Sequence, residues 1–546
     1  MLKRHHTPVQ AIYPIGRNLR GSDVADPASV GFKAYNLMRM SAIGLPVPHG
    51  FVLGTAYCRA FLNHQLPDLR DLLAGQIRRL EADTGLVFGG ERKPLLLSVR
   101  SGAPVSMPGM LETVLDVGLN STTLRGFLRM TGNPRLVWDS WRRLIQSFAE
   151  VVHGVSGVEF DRLLTEALAE HRLATSRDLD FHQMKNLAAA SLDLYARLVG
   201  APFPQDPLDQ LEAATRAVFR SWNSDKAVAY RRINGLADDL GTAVTVQRMV
   251  FGNAGGTSGS GVAFTRDPAS GENRLYLDFL ANAQGEDIVS GRRMLSASDD
   301  LASLLPPVYQ EIVQVAQQLE REFGDTQEFE FTVQDAKLYL LQTRGGKRTP
   351  LAALRMAVEQ VAEGLIDPAR ALERLAHLDL DGIKSSRLRV GDDTPLLATA
   401  NSASLGVASG RIALDVEAAR RIAQAGESVI LVRMEIATDD IAGIDVAAGL
   451  LTAYGGRTSH AAVVARERNK VCLVGCAALS IDLTSRRLTL GEHTLTEGDL
   501  ICLDGEFGHV YAGSPSIEQQ HPLALLSEVA GWKKTAGQAG ASADAG

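Results

Sequence analysis

Cysteine is scarce in this 546-residue chain. The four present, Cys58, Cys472, Cys476 and Cys502, include no Cys-x-x-Cys pair of the sort a structural zinc site uses. The scarcity reads as a reduced, intracellular protein, and Cys472 and Cys476 read as packing residues rather than ligands. No run of about eighteen apolar residues occurs, so a membrane-spanning helix is not expected. The opening MLKRHHTPVQAIYPIG is basic but lacks the apolar core of a secretory signal, and a soluble cytoplasmic chain is the expectation. Positive charge is not in excess either. A net charge of -7 and a pI near 6.0 argue against a nucleic-acid binder working through a basic surface, and Arg231-Arg232 and Arg486-Arg487 read as solvated surface charge. Internal repeats are absent.

What is present is an ordinary globular composition, 45% hydrophobic and 22% charged, in a chain too long for one core. Three or four folding units are expected. The first hundred residues alternate strand-like and helical runs: FVLGTAYCRAFL, an amphipathic stretch from Leu69 to Leu86, then an apolar run from Pro94 to Val99. Residues 133–234 carry apolar positions at three- and four-residue spacing and read as a helical insertion. The strings AVTVQRMVFG, SGVAFTRDP, LYLDFL and EFEFTVQDAKLYLLQTR together predict one antiparallel sheet, with turns at Gly252 to Gly261 and at Asp335-Ala336. Residues 346–390 read as a helical linker. From about Asp392, short strands alternate with helices and glycine turns in a compact β/α domain ending near Ser514. Of the remaining 516–546, LALLSEVAGW could form two amphipathic turns, and the closing TAGQAGASADAG reads as a disordered, small-residue tail.

The sharpest signal is GGRTSHAAVVARERNKVCLVGC at 455–476. Gly455 and Gly456 permit a tight loop, Arg457 follows, and Thr458 and Ser459 are good helix caps, which places His460 in the first turn of a helix. Free backbone N–H groups and the positive end of the helix dipole would favour a phosphate on that imidazole, a competent nucleophile. By local physics alone, a capping or surface histidine is the commoner reading.

The whole string is similar to the phosphohistidine motif of the phosphoenolpyruvate-utilising enzymes. Five further stretches resemble the pyruvate phosphate dikinase family, in its order: residues 95–120 (LLLSVRSGAPVSMPGMLETVLDVGLN), 139–146, 221–234, 259–272 and 328–349. The resemblance implies an α+β and α/β multidomain chain: an ATP-grasp nucleotide-binding domain over 1–345 with its helical insertion, the linker, and a swivelling β/β/α phosphohistidine domain over 391–515. It implies that Lys33 and Arg100 hold the triphosphate, that Glu328 and Glu330 hold Mg2+, and that Gln342 and Arg344 contact nucleotide and phosphate. Arg100, Arg344 and His460 would be catalytic. Two positions depart from the family's pattern, Phe32 where a glycine is usual and Glu328 where an aspartate is usual. Glu328 and Glu330 are two apart on a strand, so they share a face and can share a magnesium ion. GNAGGTSGSG at 252–261 is equally a glycine-rich turn or a phosphate cover.

The implied reaction converts ATP and inorganic phosphate into AMP, pyrophosphate and phosphohistidine, with water in place of phosphate in synthase relatives. The family's pyruvate-binding barrel needs about 250 residues, and the stretch after 515 is too short for one. A separate acceptor-binding protein is therefore the expectation, with pyruvate or a phenolic alcohol as the final acceptor. A regulatory relative without phosphotransfer is the reading from another class.

Overall fold

The structure is a computed structural model. It describes residues 11–16, 19–66, 68–105, 107, 110–173, 175, 176, 178–285, 300–389, 394–436, 440–457 and 459–543, with the main chain alone at 460 and 536–543. Two compact units result. One comprises Met1–Gly255 with Tyr339–Thr343; the other comprises Gly256–Leu338 with Arg344–Gly546. The expected division at 345 and 390 cuts the chain elsewhere.

The first unit is built on an antiparallel sheet in the order Ile12–Ile15, Gly50–Leu53, Ala243–Arg248, Leu97–Gly102, Thr113–Val117. Ala243–Arg248, expected in the later sheet, sits at the centre of this one, between strands drawn from the first hundred residues. Its apolar pattern is equally good in either sheet, and only the pairing partner separates them. The helical insertion comprises Pro134–His153, Val158–His171, Phe181–Val199, Pro207–Ser221 and Asp225–Ile233. Its ends follow local rules: Asn133 accepts from Leu136 N ahead of Pro134, Gly154 closes that helix at φ +68°, and Asp180 with Gln183 forms a reciprocal capping box. Trp141, Phe148, Tyr195 and Phe203 interlock in its core, with Phe203 5.0–5.2 Å from each of the other three rings. Arg231 corrects the surface reading of its basic pair. It is buried, lies 4.3 Å over the Trp222 ring, and its Nε donates to Asp238 at 2.8 Å.

The second unit begins with neighbouring antiparallel strands Gln327–Gln334, Gly259–Phe264 and Tyr276–Ala281. Gly259 and Gly261 are glycine because of packing: a Cβ on either would lie 2.1 Å from the ring of Phe279 or Phe331. Asp335 and Ala336 turn the chain after Gln334 with φ of 52° and 58°. Arg266, fully buried, ties this layer to the linker. It pairs with Glu320 at 2.6 Å, and with Glu359 and Glu363 at the end of the helix Pro350–Ala362.

The tail is helical over LALLSEVAGW as expected, but it departs from expectation in a strand before that stretch and in a helix that continues to Ala543. Ser516–Gln520 pairs antiparallel with Ser385–Arg389. The helix Leu523–Ala543 then sets Val529 and Trp532 against the linker helices Pro350–Ala362 and Pro368–Leu375. Residues 544–546 of the expected disordered stretch lie outside the described residues.

Between those paired strands lies an eight-stranded sheet. Its order is Leu396–Thr399, His509–Ala512, Leu500–Asp504, Val407–Ala413, Val429–Arg433, Gly449–Thr452, Val471–Val474, Asn401–Ser404. The consecutive strands Val407–Ala413, Val429–Arg433, Gly449–Thr452 and Val471–Val474 are parallel. Helices Val416–Gln424, Ile441–Val446 and His460–Glu467 are the crossovers between them. Apolar clusters cover both faces, which is why the parallel strands are near-continuous hydrophobic runs.

Candidate functional site

In the first unit, three of the predicted residues are drawn toward one another by two close approaches. Lys33 is the second residue of the helix Phe32–Ala42, whose cap is Gly31 at φ +77°. A Cβ on Gly31 would stand 2.1 Å from Gly102 O, and Phe32 N donates to Ala103 O at 3.0 Å. The helix start is thus pressed on the end of the strand Leu97–Gly102, where Arg100 stands half-buried. Asn36, one turn further along the helix, is buried and donates Nδ2 to Thr343 O at 2.8 Å. That bond brings in Gln342, the preceding residue. Asn36 escaped the sequence reading because a single asparagine in a helix carries no signal of its distant partner.

In the second unit, the register sets two rows of side chains on one sheet face. Glu328 stands opposite Phe264, itself opposite Tyr276; Glu330 stands opposite Val262, itself opposite Asp278. Arg344 Nη2 meets Glu328 Oε1 at 2.6 Å. Burial pulls the Arg344 pKa down, but the bond to Glu328 and the charge of Glu330 outweigh it, so the net shift is upward. The two carboxylates share a face two residues apart, and Glu330 is the more open of the pair. No group of three or more His, Cys, Asp or Glu poised for a metal lies among the described residues. A magnesium ion here would rest on this pair plus phosphate oxygens, a donor set it accepts.

The loop that begins at Ala453 leaves the carboxyl end of the strand Gly449–Thr452, the edge where parallel sheets place ligands. Gly455 has φ +109°, and a Cβ on Gly475 would lie 3.1 Å from Gly455 O, so the turn needs both glycines. Gly456 O accepts from Ser459 N at 3.1 Å, and Ser459 caps the helix His460–Glu467 by accepting from Ala462 N. His460 is therefore the first helical residue. Thr458 lies outside the described residues, as does the His460 side chain.

Two arginines hold this loop to the sheet face bearing Glu328 and Glu330. Arg457 lies 4.6 Å over the Tyr276 ring, and its Nε is 3.5 Å from the buried Asp278 carboxylate. Burial lowers the Arg457 pKa, but Tyr276 and Asp278 raise it further than burial lowers it. Arg466, wholly buried, lies 5.2 Å over the Phe264 ring and donates Nη1 to Arg457 O and Ala403 O, each at 2.9 Å. Arg466 belongs to the HAAVVAR string; its role was hidden because Ala403 and Phe264 lie 63 and 202 residues away along the chain. The glycine-rich 252–261 stretch divides: Gly255 and Gly256 are open, whereas Gly259 and Gly261 serve packing.

Residues 67–301 match the model of the pyruvate phosphate dikinase AMP/ATP-binding domain, and residues 425–508 that of the PEP-utilising enzyme mobile domain. Arg100 lies in the first match and His460 in the second; Lys33, Glu328, Glu330, Gln342 and Arg344 lie in neither. The chain is 41% identical over 512 residues to pyruvate, phosphate dikinase of Clostridium symbiosum, covering 92% of this chain and 58% of that protein. It is 38% identical over 536 residues to the Rhizobium meliloti (strain 1021) enzyme, covering 95% and 60%. With the chloroplastic enzyme of Flaveria pringlei the identity is 40% over 515 residues, covering 93% and 54%. The chain spans a little over half the length of these relatives. No helix among the described residues is long and apolar enough to cross a membrane.

Proposed function

We propose that the chain is an ATP-dependent phosphotransferase that phosphorylates its own His460, with Lys33, Arg100, Gln342 and Arg344 binding the nucleotide and its phosphates. ATP and inorganic phosphate give AMP, pyrophosphate and phosphohistidine; the phosphoryl group is then delivered to an acceptor held outside these 546 residues, with pyruvate or a phenolic alcohol as candidates. The observation that carries this reading is the seating of Arg457, three residues before His460, on the sheet face that bears Glu328 and Glu330. Phosphoryl transfer asks the protein for position and positive charge more than for covalent chemistry. Glu328 and Glu330 would hold magnesium, which neutralises charge developing on the phosphate oxygens. Arg344, kept charged beside Glu328, supplies a fixed cation at the same edge. The first-turn N–H groups at His460 have no intrahelical partner and are suited to the phosphate the imidazole would carry.

The test is incubation with ATP labelled in the β position. Label should appear on the protein in acid-labile, base-stable form, accompanied by AMP, and should be absent from His460→Ala. Label persisting in His460→Ala at the wild-type level would overturn the assignment. Glu330→Gln should weaken magnesium-dependent labelling while leaving the fold intact, and undiminished labelling would remove Glu330 from the metal site.

A further inference from the structure

A cavity of about 320 Å³ lies within the second unit, walled by the start of the helix Pro350–Ala362, the helix Pro368–Leu375, and the Arg466-Glu467 end of the helix His460–Glu467. Its lining carries four permanent cations, Lys347, Arg348, Arg374 and Arg466, against two carboxylates, Asp325 and Glu467. Both carboxylates are already engaged. Asp325 is shared by Arg348, at 2.7 and 3.1 Å, and Arg374, at 3.4 Å, while Glu467 pairs with Lys347 at 2.5 Å. Among the described residues Arg466 has no carboxylate partner. It is 0% exposed, and its Nε and Nη2 make no hydrogen bond although Nη1 makes two. A buried guanidinium with no counter-charge is costly, and an anion in the neighbouring cavity lowers that cost through its charge.

We propose that this cavity is a binding site for a small phosphate-bearing anion, orthophosphate or pyrophosphate, separate from the residues assigned to ATP. The excess of two positive charges matches a phosphate dianion, and the start of the thirteen-residue helix Pro350–Ala362 adds the positive end of a helix dipole. The carbonyl end of His460–Glu467 opposes an anion weakly, and four cations outweigh it. Arg374 shows the crowding: burial first, then the neighbouring charges of Arg348 and Arg370, hold its pKa below the usual guanidinium value despite Asp325. The site is distinct from the phosphate expected on His460, since the helix between them spans roughly 10 Å at about 1.5 Å per residue. An anion seated here would bridge both linker helices to the phosphohistidine helix.

Equilibrium dialysis with radiolabelled orthophosphate, and separately pyrophosphate, tests this on the full chain. Lys347→Glu is the variant of choice, because Lys347 is half-exposed and its reversal cancels the excess charge without disturbing the buried arginines. Arg100→Ala serves as the control at the nucleotide site. Binding that survives Arg100→Ala and weakens at least tenfold in Lys347→Glu, with an unchanged thermal melt, is the expected result, and the two anions' relative affinity identifies the ligand. Binding lost in Arg100→Ala and untouched by Lys347→Glu would place the anion at the nucleotide site, overturning this proposal while leaving the proposed function standing. Absence of any binding at millimolar anion would also overturn it. A peak for tungstate, a phosphate mimic, at Arg466 and Arg374 in soaked crystals would support the site directly, and occupancy elsewhere alone would count against it.

Discussion

Replacing Arg266 by Met should be among the most damaging single changes in the second unit. Arg266 is 0% exposed and makes ion pairs to Glu320, Glu359 and Glu363, but these partners are not equivalent. The Glu359 and Glu363 side chains are 37% and 42% exposed, so they rehydrate when the guanidinium goes, and each pair is worth about 0–1 kcal/mol. Glu320 is 9% exposed and cannot rehydrate; stranding a buried charge costs about 3–5 kcal/mol. Nearly all the loss should therefore come from one pair. Two consequences follow. Glu359→Gln and Glu363→Gln should each cost less than about 1 kcal/mol. The double variant Arg266→Met, Glu320→Met should be more stable than Arg266→Met alone, because no charge is then stranded; it keeps a smaller deficit from Gln360, whose Nε2 donates to Glu320 at 2.6 Å. Whole-chain unfolding of a multidomain protein is not two-state, so the measurement should be local. Hydrogen exchange of amides in Pro350–Ala362 across a urea series reads the opening of the anchored helix. A double variant whose loss equals the sum of the two single losses would refute the argument.

Asp139 supports the helical insertion in a pH-dependent way. Burial pushes its pKa up, but Arg143 and Arg142, with Arg135, more than reverse this and hold it below the ordinary 3.8. A depressed carboxyl contributes stability that is present above pH 3.8 and lost as pH falls through the lower folded value. Asp139→Asn should therefore cost about 3 kcal/mol at pH 7, and its gap from wild type in the hydrogen exchange of amides in Pro134–His153 should close below pH 4. A gap that stays constant through that range would exclude the linkage. The cysteines should be inert in the native state: burial pushes the Cys58 thiol up to about 11 and Cys472 up to about 12, and all four are buried. Iodoacetamide at pH 8 should leave Cys58 and Cys472 unmodified by mass spectrometry under conditions that alkylate all four in urea. Rapid native alkylation of Cys472 would contradict its placement in the strand Val471–Val474.

Much of this protein was determined within short stretches of sequence. Asn133 before Pro134, Asp180 with Gln183, and Ser459 ahead of His460 start helices because their side chains satisfy N–H groups three residues away. Asp335-Ala336 turns the chain for an equally local reason, and the alternation of Glu328 and Glu330 puts both carboxylates on one face whatever the sheet's partners. The proposed site residues rest on short strings too, since a family resemblance is carried by the types and spacing of neighbouring residues.

Pairing at long range was decided only by the tertiary structure. Ala243–Arg248 has the composition of a strand in either sheet, and its place in the first depends on Gly50–Leu53 and Leu97–Gly102 flanking it. Ser516–Gln520 is a strand because Ser385–Arg389 offers it an edge, and the helix after it is held by apolar faces of the linker. Arg231, Arg266 and Arg466 look like any surface arginine in sequence, yet each is buried, because an aromatic ring or carboxylate supplies what water otherwise would, from within the same stretch for Arg231 and from distant segments for Arg266 and Arg466. Charge patterns give a residue's capacity to pair; burial, a property of the whole fold, decides whether that capacity is met.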